Sequence, residues 1–212
     1  MITIVDYGLG NIKAFLNVYH RLNIKAKTAT TAAELAGASK IILPGVGSFD
    51  DAMRRLTESG MRGALDDLAL RQRLPVLGVC VGMQMLAHGS DEGQLPGLGW
   101  VGGRVKRFAS RLSAAALPVP HMGWNDVRPV APSRLFDQLD RDARFYFLHS
   151  YYFVCDRDED TLAVANYGED FACAAHTDNI FGVQFHPEKS HRYGQQVLAN
   201  FARLDDAALG PH

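Results

Sequence analysis

Three short apolar runs in the first 80 residues, ITIVD (2–6), KIILPG (40–45) and PVLGVC (75–80), are nearly unbroken by polar residues. A strand wet on one face alternates apolar and polar positions, so a run without that alternation is covered on both faces. Between the runs lie segments of helical period. NIKAFLNVYHRL (11–22) places apolar residues at 12, 15, 16, 19 and 22, and further helical stretches fall around 48–58 and 61–72. IKAKTA (24–29) reads as another strand. Strands alternating with helices predict a parallel, doubly wound α/β sheet.

The second half changes character. GWVGGRVKRF (99–108), GWNDVRPV (123–130), ARFYFLHSYYFV (143–154) and TLAVANYG (161–168) each read as one strand, with no long helix between them. FACAAHTDNIFGVQFHPE (171–188) reads as an antiparallel hairpin turning at Asp178-Asn179, and a last amphipathic helix covers roughly 190–204. ASRLSAAALPVP (109–120) is read as a surface loop. The expected architecture is therefore α/β, a single flavodoxin-like domain spanning 1–212. It has an open, mainly parallel core sheet and antiparallel strands in the C-terminal half.

A formal net charge of −1 gives no broad polyanion-binding surface, so nucleic acid is not an expected partner. The basic stretch from Arg104 to Arg111 reads as a solvated face, with a local phosphate or partner patch as the alternative. Cys80, Cys155 and Cys173 form neither a disulfide framework nor a zinc pattern, and no metal or other cofactor is expected. Cys155 and Cys173, in apolar runs, are read as buried small hydrophobes. The N-terminus lacks the pattern of a signal peptide and no run reaches membrane-span length, so a reducing cytosol is the expected location.

Cys80 stands apart. Gly78-Val79-Cys80-Val81-Gly82 follows a buried strand and precedes a helical stretch, the context of a nucleophile elbow at an exposed corner. A helix beginning just after Cys80 would aim its N-terminal N–H groups at the sulfur and favour a thiolate, and the Val81 N–H could donate to an oxyanion. An acyl-enzyme also needs a proton donor and a base, roles that histidine fills. His20 and His88 lie on helical patterns and His212 is terminal, whereas His186 ends the strand FGVQF before Pro187 and Glu188. Pro187 holds His186 extended, and alternation in an extended segment points 186 and 188 to one side, so Glu188 would orient the imidazole. Gln84 lies one helical turn after Cys80, suited to substrate contact or else an exposed helix residue.

With GVCVGMQML and GVQFHPEKS in view, the chain resembles the class I (triad) glutamine amidotransferases. DYGLGNIKAF (6–15), LPGVGSFDDAM (43–53), PHMGWN (120–125) and FYFLHSYY (145–152) are similar to the glutaminase subunits of imidazole glycerol phosphate synthases, and these motifs span residues 6 to 190. Val81 departs from the family's usual leucine, at a position where only the backbone N–H is required.

The resemblance implies that Cys80 attacks the side-chain amide of glutamine, His186 protonates the departing ammonia and Glu188 orients His186. It implies a second oxyanion contribution from Pro44-Gly45-Val46-Gly47, at Val46 and Gly47, and substrate contacts through His149, Ser150 and Tyr151. It also implies a (βα)8-barrel cyclase partner that takes the ammonia for histidine biosynthesis, with Asn11, Trp124 and Lys189 as interface candidates. Trp124 is equally open to a core reading.

Rival readings are a thiol hydrolase or peptidase on a related fold, a glutaminase of another pathway, and a nucleotide-binding module built on GLGN. The last lacks a third glycine, because position 13 is lysine.

Overall fold

The computed structural model describes residues 1–108 and 117–204. Most of the loop read at 109–120, and Arg111 of the basic stretch, lie outside the described residues. The first half runs β1 (Ile2–Val5), α1 (Ile12–Arg21), β2 (Ala26–Ala29), β3 (Lys40–Gly45), α2 (Phe49–Glu58), α3 (Arg62–Asp66), β4 (Val76–Cys80) and α4 (Val81–Met85). The expected helix at 61–72 is α3 continued by a wider π-type turn over Asp67–Arg71. The second half follows as β5 (Gly103–Arg107), β6 (His121–Asp126), β7 (Arg128–Pro129), β8 (Arg144–His149), β9 (Tyr151–Cys155), β10 (Thr161–Asn166), β11 (Asp170–Thr177), β12 (Ile180–Val183) and α5 (His191–Arg203).

The main sheet has the order β2-β1-β3-β4-β12-β11-β10-β7, with β9 joined to β11 and β5 to β9. From β2 to β12 every pairing is parallel, and from β12 onward every pairing is antiparallel. The apolar runs explain the parallel half. β1 and β4 are buried at every position, as strands covered on both faces must be. Its helices follow the predicted period: α1 buries Phe15, Val18 and Tyr19, and α2 buries Phe49, Ala52, Met53 and Leu56. The hairpin turns where expected. Thr177 pairs with Ile180, and Asp178, the first central residue, takes φ +55°.

Three readings of the second half need correction. The run 143–154 is two strands, not one. β8 pairs with β6 in a separate two-stranded ribbon, while β9 joins the main sheet. The chain changes sheets at Ser150. The run 123–130 is likewise split, with β6 in the ribbon and β7 at the sheet edge. Cys173 is fully buried as expected, but Cys155 is only half-buried.

One connected apolar cluster reaches from Ile2 to Leu204. No helix of the described residues is long and apolar enough to cross a membrane.

Candidate active site

β4 lies between β3 and β12, both parallel to it, so three strands end together at the edge where open α/β sheets hold ligands. Cys80 is the last residue of β4 and adopts φ 56°, ψ −114°, a conformation that a side-chain-bearing residue reaches only at a cost of about 1–3 kcal/mol. Close packing maintains it. A Cβ on Gly78 would lie 2.7 Å from the Gly82 carbonyl oxygen, and one on Gly82 would run into the Leu43 carbonyl oxygen. The two glycines therefore let α4 press against β3 and β4. The corner, expected to be exposed, is buried: Cys80 is 3% accessible. The helix behind it is also short, at five residues, which limits the dipole available to the sulfur. Val81 is its first residue, and a first-turn N–H has no intrahelical acceptor.

His186 follows β12 with extended backbone, its N–H bonded to the Tyr146 carbonyl at 2.9 Å. His186 Nδ1 lies 2.9 Å from Glu188 Oε1, and the two side chains are 4% and 2% exposed. The pairing is the expected one, but its route differs. Pro187 opens a 3-10 turn over Pro187–Lys189, so Glu188 reaches the ring by curling back and not by alternation along an extended segment. Ser190 secures the turn: its hydroxyl donates to the His186 carbonyl at 2.6 Å and accepts from Tyr146 N at 3.0 Å.

Burial acts on His186 most strongly and pulls its pKa down. Hydrogen bonds to Cys80 and Glu188, with the negative charge of both, outweigh it and raise the value to about 9. The ring therefore holds a proton at neutral pH beside a nucleophilic sulfur.

These groups face a cavity of about 300 Å³. Cys80, Val81, Gln84 and His186 line one side, and His149, Ser150 and Tyr151 line another. Val46, Gly47 and Lys189 also line it. Glu188 stands behind His186, while Asn11 and Trp124 lie outside the cavity. Gln84 is buried, not an exposed helix residue; its amide donates to the Tyr151 carbonyl and to Gln184 Oε1, each at 3.0 Å. Trp124 is 41% exposed, which decides against the core alternative, and it stacks on His191 with centroids 5.2 Å apart. Lys189 is exposed, its ammonium 5.8 Å from the centre of the Tyr146 ring. Asn11 is exposed and caps α1 through Ala14 N.

Several contributors were not read from the sequence. Glu92 is the one carboxylate in the cavity lining among the described residues, tethered at 2.8 Å by the N–H of Phe49 at the start of α2. Tyr7 donates to the Pro44 carbonyl at 2.7 Å, holding the peptide before Gly45 from behind. In DYGLGN, a Cβ on Gly10 would lie 2.8 Å from Pro44 Cβ, so this loop packs on the cavity wall and its glycines serve packing and turns. The sequence signal for Tyr7 was its place in that quoted motif; nothing local marked Glu92. Among the described residues no group of three or more His, Cys, Asp or Glu is arranged to hold a metal ion.

A nucleophile elbow, a histidine–carboxylate pair and a substrate-sized cavity together suit acyl transfer from an amide. Residues 3–204 match the family model described as glutamine amidotransferase class-I. The imidazole glycerol phosphate synthase subunit HisH of Bdellovibrio bacteriovorus is 60% identical over 204 residues, covering 96% of this chain and 100% of the relative. The HisH subunit of Leptospira interrogans is 53% identical over the same coverage. A solved glutamine amidotransferase from Thermotoga maritima has the same fold, with a TM-score of 0.62 at 17% identity over 98% of this chain and 87% of that one. The chain belongs to the class-I glutamine amidotransferase family and, within it, groups with the HisH subunits of imidazole glycerol phosphate synthase.

Proposed function

We propose that this chain, as one domain over its full length, is the glutaminase subunit of an imidazole glycerol phosphate synthase, acting in the cytoplasm in histidine biosynthesis. The observation that carries the catalytic reading is the strained Cys80 at the cavity wall, beside a His186 ring that is paired with Glu188. Cys80 sulfur attacks the side-chain amide carbon of glutamine, and the Val81 N–H, with an N–H from the Gly45–Val46 peptide, bears the oxyanion. His186 gives its proton to the amide nitrogen as the C–N bond breaks, which releases ammonia and leaves a thioester. Water then adds to the thioester with His186 as base, and glutamate departs as the thiol re-forms. Glu188 keeps Nδ1 protonated and faces the charge on the ring. Gln84, His149, Ser150 and Tyr151 hold the substrate, and Glu92 faces its α-ammonium.

The partner of this reading is a (βα)8-barrel cyclase that receives the ammonia. The ribbon supports it: Met122 pairs with Leu148 and Trp124 with Tyr146, and this face exposes Met122, Trp124 and Leu148. Exposed Val46 and Leu148 also line the cavity, so the apolar face continues into its mouth. Trp124 and Lys189 flank Tyr146 on that side, and Asn11 is the third interface candidate.

Cys80→Ala tests the reading. Glutamate release from glutamine is expected to disappear, while the assembled enzyme still uses ammonium salts. Retained glutamate release would remove Cys80 as the nucleophile.

A further inference from the structure

His121, inside PHMGWN, has no place in the chemistry above, yet it is buried directly opposite His149 across the ribbon. We propose that His121 and His149 form a neutral, directional imidazole pair that positions the Tyr151 carbonyl and the Gln84 amide for glutamine binding. The proposal rests on the reading of the cavity as the glutamine site.

The direction of the pair follows from its two ends. His149 Nδ1 lies 2.8 Å from the Tyr151 carbonyl oxygen, which only accepts, so Nδ1 carries the hydrogen. In a neutral ring His149 Nε2 then accepts, and His121 Nδ1, 3.0 Å away, must donate. His121 Nε2 is left as an acceptor for Asn125 Nδ2 at 3.2 Å. The Asn125 amide cannot turn over without loss: Nδ2 also donates to the Asn166 carbonyl at 2.8 Å, and Oδ1 accepts from Asp126 N at 2.8 Å. All four ring nitrogens are thus matched with both rings neutral. A proton on either ring would set N–H against N–H.

The surroundings agree. His121 stacks between Tyr167 and Phe147, with centroids 4.1 and 4.9 Å away. Phe108, Phe147 and Phe171 enclose His149, and the charged group bearing on it is His186. Burial, aided by smaller electrostatic contributions from His121 and His186, outweighs the hydrogen bond to the Tyr151 carbonyl and pushes His149 down to about 3; burial pushes His121 down to about 4.

The pair ends at substrate-facing atoms. The Tyr151 carbonyl also accepts from Gln84 Nε2, whose other hydrogen goes to Gln184 Oε1. Gln184 in turn approaches Cys80 Sγ at 3.8 Å. With both amide hydrogens committed, Gln84 can offer glutamine only its carbonyl oxygen. Loss of the His121 donor would free His149 and, through the Tyr151 carbonyl, release the Gln84 amide to rotate.

Two substitutions at His121 separate this role from packing. His121→Phe keeps the aromatic stack and removes the donor; His121→Asn removes the stack and keeps an N–H near the place of Nδ1. In steady-state glutamate release, His121→Phe is expected to raise KM for glutamine about tenfold, with kcat within about threefold, because a ground-state contact is lost. His121→Asn is expected to keep KM within about threefold of the parent. The reverse order, a normal KM in His121→Phe and an impaired His121→Asn, would overturn the proposal.

Imidazole ¹⁵N spectra of the unsubstituted protein give a readout independent of any variant's folding. Both rings are expected to be neutral at pH 6 with hydrogen on Nδ1, and a protonated ring or hydrogen on Nε2 of His149 would refute the pair. Cys80→Ala in the same assay keeps the two readings apart. Its retained hydrolysis would discard the cavity assignment, whereas its inactivity together with a normal KM in His121→Phe would discard the pair alone.

Discussion

Replacing Glu188 by glutamine alters one charge at one place in the triad. The carboxylate is 2% exposed and meets His186 Nδ1 at 2.9 Å through Oε1, while Oε2 is buried without a hydrogen-bond partner among the described residues. Glutamine can keep the ring's tautomer by placing Oε1 against the Nδ1 hydrogen, with its NH₂ where Oε2 stood. Oε2 takes no hydrogen bond from the described residues, so the exchange is weighed at the Oε1 contact. A hydrogen bond to a charged group is worth about 1.5–3 kcal/mol net, and a neutral one about 0.5–1.5. The exchange therefore costs about 1–2 kcal/mol in any step that needs the imidazolium, or roughly 5–30-fold in rate.

The same loss returns His186 from about 9 toward its ordinary range near 6.5, since Glu188 is one of the groups that raise it. The expected result of glutamate-release assays on the assembled enzyme is thus a kcat lowered roughly 5–30-fold with KM little changed. The alkaline limb of the pH profile should move to lower pH. His186→Ala, which removes acid and base together, should be far worse. Parent rates in Glu188→Gln, or a loss confined to KM, would refute the reasoning that joins this carboxylate to the proton on His186.

Other outcomes follow from particular contacts. Gly82→Ala would press a methyl into the Leu43 carbonyl, and a backbone neighbour cannot swing away. A stability loss of about 3 kcal/mol or more in urea unfolding is expected, and an unchanged midpoint would contradict the packing of the elbow. Between pH 6.5 and 5 the unfolded chain protonates His149, while the folded chain, which holds it near 3, does not. The unfolded state then binds more protons, a loss of about 1.5 kcal/mol across that window, and His121, held near 4, adds about as much, so a flat profile would count against the buried neutral pair. The isolated chain should bind glutamine and hydrolyse it slowly. The cyclase with its ligand should raise kcat far more than it lowers KM, because an oxyanion donor gained only in the transition state is worth about 10²–10³. Activation wholly in KM would exclude that origin.

The parallel half of the fold was legible because each of its strands is a local property: β1, β3 and β4 are covered on both faces and show it in composition. The elbow was legible for a related reason, since its strain and its glycines lie within five consecutive residues. What escaped depends on contacts between distant segments. Ser150 turns the chain from one sheet into another without a glycine or proline to mark the corner. Glu92 enters the cavity from a loop held by Phe49, 43 residues away, and no local pattern separates it from a solvated glutamate. His186 and Glu188 were paired correctly from their spacing although the assumed extended geometry was wrong, because a 3-10 turn and a strand both bring positions two apart within reach.

The distribution of exposure around the site argues for where control is exerted. Cys80, His186 and the side chain of Glu188 are almost fully buried, and the elbow is braced by glycine contacts to backbone that leave it little room to adjust. The parts of the cavity that reach the surface are different ones: Val46, Gly47, Pro120, Leu148 and Lys189. Val46 lies two residues after Pro44, whose carbonyl is held by Tyr7, and precedes Gly47 at φ +87°, so the Gly45–Val46 peptide is braced on its N-terminal side and followed by a glycine on the other. A partner seated on the apolar face of the ribbon would touch Leu148 and Val46 without touching the triad. Regulation through that contact would change the oxyanion donors while the nucleophile and its proton donor stay in place, which is why activation is expected in kcat.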